Sequence, residues 1–128
     1  MQTQIDNTEN NILIAKFLGW KEQTDPTRRW FTQFFNEYGE RKGGTNKEPL
    51  LFHSDWNWLM LAVEKINSFE SGRFTVQINS MDTYIHDLVK GGYIFQSECK
   101  WQTYELINSV YEAVIEFIKW YNEQQKAG

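Results

Sequence analysis

The chain has little of what constrains a backbone or anchors it in lipid: one cysteine, two prolines, and no apolar run approaching the roughly 20 residues that span a bilayer. With Cys99 alone, an internal disulfide is excluded and no oxidising compartment is implied. Positive charge is also in the minority. Lysines and arginines number 13 against 17 carboxylates, a formal net charge of −4 at pH 7, which works against loose attraction to nucleic-acid phosphates or anionic lipid. The local exceptions are Arg28 with Arg29 and the scattered group Arg41, Lys42 and Lys47, which read as solvated loop charges. Residues 1–9 are polar and lack the basic-then-apolar pattern of an export signal, so a cytoplasmic location is expected. No phosphate-cradling glycine motif is present; Lys42-Gly43-Gly44 and Lys90-Gly91-Gly92 read as turns.

Aromatic surface is what the chain has in quantity. The 6 Trp, 6 Tyr and 9 Phe in 128 residues supply large apolar groups with few rotatable bonds, and the length fits a single domain over 1–128. The most informative stretch is 103–122. There Ile107, Val110, Tyr111, Val114, Ile118 and Tyr121 share one stripe of a 3.6-residue helix, and Leu106, Ala113, Phe117 and Trp120 widen it. Glu112, Glu116 and Lys119 fall on the polar side. Six such residues at about 1.5–3 kcal/mol each offer on the order of 10 kcal/mol on burial, before entropy is subtracted. That sum is comparable to the net stability of a whole domain, so the helix must be covered by a sheet or another helix.

Punctuation residues divide the rest. Thr8 is placed to cap a first helix whose apolar side is Ile12 to Ala15, Phe17 and Leu18; Gly19 suits its left-handed stop, and Trp20 is placed to fold back on it. Trp30, Phe31, Phe34, Phe35 and Tyr38 fit either a helix by spacing or a twisted strand by composition, and the sequence leaves the choice open. Residues 40–49, with Gly43, Gly44, Thr45, Asn46 and Pro49, read as a mobile loop. Ser54 is placed to cap a second helix, aided by the charge of Asp55, with Leu59, Ala62, Val63, Ile66 and Phe69 on its inner face, extended by Trp56 and Met60. Ser71-Gly72 ends it. Three short strands follow: Phe74, Val76 and Ile78 alternating with polar residues, then Thr83 to His86, then Tyr93 to Cys99 with Tyr93, Phe95, Ser97 and Cys99 on one side. This order predicts an α+β domain in which an antiparallel meander of three or more strands is sandwiched between helices.

Three segments carry a family likeness: Ile14-Ala-Lys-Phe-Leu-Gly-Trp20, Trp56-Asn-Trp-Leu-Met60 running into Val63-Glu-Lys-Ile66, and Val110-Tyr-Glu-Ala-Val-Ile-Glu-Phe-Ile-Lys-Trp-Tyr-Asn122. Together they resemble a family of small phage and prophage proteins described as a phage α-β-α sandwich domain. The resemblance implies a sheet with helices on both faces and a bacterial host. It implies no activity, cofactor or site residue. The chain departs from the family pattern at Leu61, where a proline is common, and in 23–47, which is longer or different.

Candidate chemistry is sparse. His53, Asp55, His86 and Asp87 are the residue types of a metal or acid–base cluster, but their spacing matches no signature, and helix capping and strand ends account for them. Cys99 as a nucleophile would need a cation, histidine or helix N-terminus nearby; its alternation with Tyr93 and Phe95 places it in the core instead. The helix–three strands–helix order from 54 to 122 matches the double-stranded RNA-binding domain. The start of the last helix nevertheless carries Glu105 in place of the basic residues that fold needs. No catalytic residue, metal or cofactor is therefore assigned. Trp58, Leu61, Ile115 and Trp120 lie partly off their helical stripes and form the candidate interface, for a homodimer or a host or phage protein. The function expected is non-enzymatic protein contact; the alternative is a small-molecule or nucleic-acid binding module.

Overall fold

The computed structural model describes residues 7–25, 28–44, 50–98 and 105–127. Their order is α1 (Thr8–Phe17), β1 (Lys21–Asp25), β2 (Arg28–Phe35), β3 (Arg41–Gly44), α2 (Trp56–Ser68), β4 (Phe74–Ile78), β5 (Asp82–Asp87), β6 (Tyr93–Glu98) and α3 (Leu106–Ala127). The strands form two antiparallel sheets, β1-β2-β3 and β4-β5-β6. The expected α+β class and C-terminal meander are both present, and a second sheet is added to them.

Local chemistry sets the helix ends. Gly19 takes φ 83, and the N–H groups of Gly19 and Trp20 reach back to the carbonyls of Lys16 and Ala15, each at 3.0 Å, a turn that satisfies the last carbonyls of α1. It returns Trp20 to the body, with ring centroids 5.2 Å from Phe52 and 5.7 Å from Trp58. Two expected caps move by one residue. Asn7 is the N-cap of α1 and Thr8 its first helical residue. Asp55 caps α2: its backbone is extended and its carboxylate accepts the Asn57 N–H at 2.8 Å. Beyond α2, Glu70 (φ 46), Ser71 (φ 59) and Gly72 (φ 85) are consecutive left-handed residues. The chain therefore stops where expected, but with two non-glycine residues in a conformation that costs roughly 1–2 kcal/mol each.

The open choice in the N-terminal half resolves as strand. β2 is the middle strand of its sheet, paired with β1 through Lys21↔Phe35 to Asp25↔Arg28 and with β3 through Gln33↔Gly44 to Phe35↔Arg41. β-branched and aromatic preference outweighs the weak helical spacing here because both edges of β2 find partners. The reading of 40–49 as loop is corrected for Arg41–Gly44, which forms β3; Gly43, opposite Phe34, is buried. Residues 45–49 lie outside the described residues. In the second sheet, β4 alternates as predicted, with Phe74 buried, and β5 forms at the expected place and alternates too, with Thr83, Ile85 and Asp87 buried. Tyr93 does not share a side with Phe95: a bulge opposite Ile85 and His86 inserts Ile94 and turns Tyr93 to the opposite face, 63% exposed. Cys99 lies outside the described residues.

The predicted stripe of α3 is the centre of the core. Val110, Val114, Phe117 and Ile118 are at most 1% exposed, and α3 packs on β5 and β6 while α2 packs on β4 and α1 on α3. Phe117 gathers the aromatic cluster, with Phe74 at 4.9 Å, Trp120 at 5.9 Å, and Phe17 at 6.2 Å. Where α3 crosses the sheet, Ser109 Oγ bonds Thr83 Oγ1 at 2.9 Å and donates to the Ser97 carbonyl at 3.0 Å. This crossing is made through small polar residues that bond one another.

Candidate functional site

The four residues singled out as a potential metal or acid–base cluster take up separate places. Asp55 is a helix cap. His86 stands on the outward face of its sheet, its Nε2 2.7 Å from Gln77 Oε1. Asp87 is a buried half of an ion pair with Arg73, bidentate at 3.1 Å from Nε and 2.7 Å from Nη2. Arg73 also donates to Glu70 at 3.1 Å, and Asp87 Oδ1 accepts the N–H groups of Val89 and Lys90. The Arg73 guanidinium, with help from those backbone donors, holds the Asp87 carboxyl far below the ordinary range against the opposing effect of burial. The same bonds raise Arg73. These contacts clasp the left-handed turn at 70–72 to the β5–β6 turn. Among the described residues no group of three His, Cys, Asp or Glu could hold a metal ion.

His53 faces inward, into a junction that periodicity does not reveal. Asn11 on α1, 4% exposed, donates through Nδ2 to the Leu50 carbonyl at 3.0 Å and meets His53 Nδ1 at 2.9 Å, while its Oδ1 accepts from Tyr111 Oη of α3 at 2.9 Å. A carbonyl can only accept, so Leu50 fixes the amide orientation. His53 Nδ1 must then be an acceptor, and the ring proton sits on Nε2. Burial pushes the Tyr111 phenol above its usual value. Among the described residues every buried side-chain polar atom has a partner, so this junction is occupied by its own bonds. Its residues tie α1, the 50–53 turn and α3 together.

The candidate interface residues divide. Ile115 is 3% exposed and belongs to the core cluster, so its reading as an interface residue is corrected: the folded chain itself covers it. Trp58 and Trp120 are half-buried, Trp58 edge-on to Phe52 at 5.2 Å and under Lys42 Nζ at 5.5 Å, Trp120 edge-on to Phe74 at 5.9 Å. Leu61 is 41% exposed. Trp56, expected on the inner face of α2, is also exposed, at the end of the stripe.

Leu61 borders a surface groove of about 360 Å³ between α2 and the turn that joins β2 to β3. The α2 wall is the i, i+3, i+4, i+7 row Leu61, Glu64, Lys65 and Ser68; the opposite wall is Glu37 and Tyr38, with Leu18 and Trp20 beneath. The turn is tightly built. Asn36 Oδ1 accepts from the N–H groups of Tyr38 and Glu40, both at 2.9 Å, its Nδ2 donates to Glu40 Oε1 at 2.8 Å, and Gly39 (φ 80) donates to the Asn36 carbonyl at 3.0 Å. Tyr38 is held on it 81% exposed. Sequence reading missed Tyr38 as a site residue, although the signal was there: Asn36 and Gly39 are the asparagine and left-handed glycine of an Asx-type turn.

A second exposed surface is the outward face of β4–β6, where Tyr84 and Tyr93 lie 4.6 Å apart and His86 4.7 Å from Tyr93. Gln96 donates to Tyr84 Oη at 3.2 Å. Among the described residues no helix is long and apolar enough to cross a membrane. Comparison with protein-family models, curated proteins and solved structures finds no match.

Proposed function

We propose that the chain is a non-enzymatic accessory protein of a phage or prophage that acts in the bacterial cytoplasm by binding another protein, either a second copy of itself or a host or phage partner. The observation that carries the protein-contact reading is Tyr38: a large aromatic side chain, 81% exposed, on a turn already fixed by the hydrogen bonds of Asn36. An ordered, exposed tyrosine beside an exposed Leu61 is the composition of an interface anchor, and it loses little freedom on binding because its backbone is already set. Among the described residues the buried polar side-chain groups, by contrast, are taken up by internal bonds. The phage assignment is supported only by the resemblance carried by the three segments around Ile14–Trp20, Trp56–Ile66 and Val110–Asn122.

The test is photo-crosslinking from position 38. Benzoyl-phenylalanine in place of Tyr38 should give a discrete higher-mass adduct, either in the purified protein or in host extract, and Leu61→Asp should remove that adduct without lowering the melting temperature. No adduct in either setting, or one indifferent to Leu61→Asp, would refute the reading.

A further inference from the structure

We infer that the groove between α2 and the 36–40 turn receives a basic side chain of the partner polypeptide, an arginine or lysine set between Glu37 and Glu64. This rests on the protein-contact reading above and specifies the chemistry of the partner. The first ground is charge. Among the described residues neither Glu37 nor Glu64 forms an ion pair, a state shared with Glu9, Glu40, Glu105 and Glu112, but only Glu37 and Glu64 line the same groove. Two elements, the β2–β3 turn and α2, thus each bring an uncompensated carboxylate to one groove. Lys65 shares the α2 wall, its Nζ over the rings of Phe17 and Phe69 at 5.8 and 5.7 Å, so the lining sets two carboxylates against one cation already engaged with aromatic faces.

The second ground is the apolar lining. A long basic side chain carries a hydrocarbon stem as well as a charge; Leu61 offers the stem an aliphatic surface, and Tyr38, 81% exposed, supplies an aromatic ring at the same groove. The groove volume of about 360 Å³ is at the lower end for a ligand pocket, room for one extended side chain. A phosphate or an acidic segment would meet two like charges against one opposite charge there.

The probe is a tetra-arginine peptide, with tetra-glutamate as its control, titrated into the ¹⁵N-labelled full chain and followed by amide chemical shifts. Shifts should cluster at Glu37, Tyr38, Leu61 and Glu64 with tetra-arginine only, and should shrink as salt is raised to about 0.3 M, where screening acts within roughly 6 Å. Glu37→Gln/Glu64→Gln should weaken the peptide by about five- to tenfold, the effect of two exposed ion pairs. Glu116→Gln/Glu123→Gln removes the same net charge elsewhere and should leave the affinity within about twofold. Equal weakening by both double variants would reduce the effect to general attraction by an acidic protein. Shifts spread over the surface, or none at the groove, would overturn the inference while leaving the crosslink from position 38, and hence the protein-contact reading, standing.

Discussion

Replacing Tyr111 with phenylalanine removes one oxygen atom from the interior and tests the junction that joins the two ends of the chain. Tyr111 Oη donates to Asn11 Oδ1 at 2.9 Å across 100 residues of sequence. Without it, an amide oxygen on a residue 4% exposed has no replacement donor, a loss of about 1–3 kcal/mol. Asn11→Ala should cost more, about 2–4 kcal/mol, because it strands the Leu50 carbonyl, the Tyr111 hydroxyl and His53 Nδ1 at once. Since the two changes delete the same bond, the double variant should fall short of additivity by about 1 kcal/mol. Asn11→Asp keeps the shape but replaces a double donor by an acceptor facing the Leu50 carbonyl, so it should destabilise more than alanine. Urea denaturation at pH 7 measures each, and about 4 °C of melting temperature per kcal/mol offers an independent check for a domain of this size. A Tyr111→Phe protein within about 0.5 kcal/mol of wild type, or full additivity in the double variant, would refute the buried junction.

Val114→Asp places a charge at 0% exposure in the centre of α3 and should abolish the cooperative thermal transition, whereas Glu112→Gln, on the exposed side, should retain it; circular dichroism distinguishes them. Asp87 is held ionised by Arg73, so its lowered value stabilises the fold fully above the unfolded carboxylate range near pH 4 and loses that contribution as the pH falls through the folded value. Melting followed from pH 7 to pH 2 should therefore fall less steeply for Asp87→Asn than for wild type, from a lower starting point at pH 7. Ser71→Gly relieves a left-handed residue at φ 59; relief of roughly 1–2 kcal/mol against about 0.5–1 kcal/mol of extra unfolded-state freedom should raise stability by about 0.5–1 kcal/mol, read from the urea midpoint.

The helices and the second sheet were legible because their signals are local. Val110, Val114, Phe117 and Ile118 repeat at helical spacing, and Phe74, Val76 and Ile78 alternate at period two; each pattern needs only neighbours in sequence to declare a buried face. β2 was ambiguous for the opposite reason. Its aromatic spacing suits either element, and the outcome depended on β1 and β3 being available to pair with both of its edges. Tyr93 was misplaced by a single inserted residue, Ile94, since one bulge reverses every later assignment of face. The groove was half visible: Leu61 was identified from its position on α2, while Glu37 and Tyr38 reach the same place through a turn 23 or more residues away.

Composition and periodicity by themselves determined that this chain folds around aromatic and aliphatic stripes, with acidic net charge and no disulfide, because burial free energy follows from which residues recur at which spacing. Tertiary structure alone decided what meets what. That Asn11 bonds Tyr111, that Asp87 is claimed by Arg73, that Ile115 is covered and Tyr38 is not, are consequences of packing in three dimensions, where distance along the chain no longer ranks which groups touch.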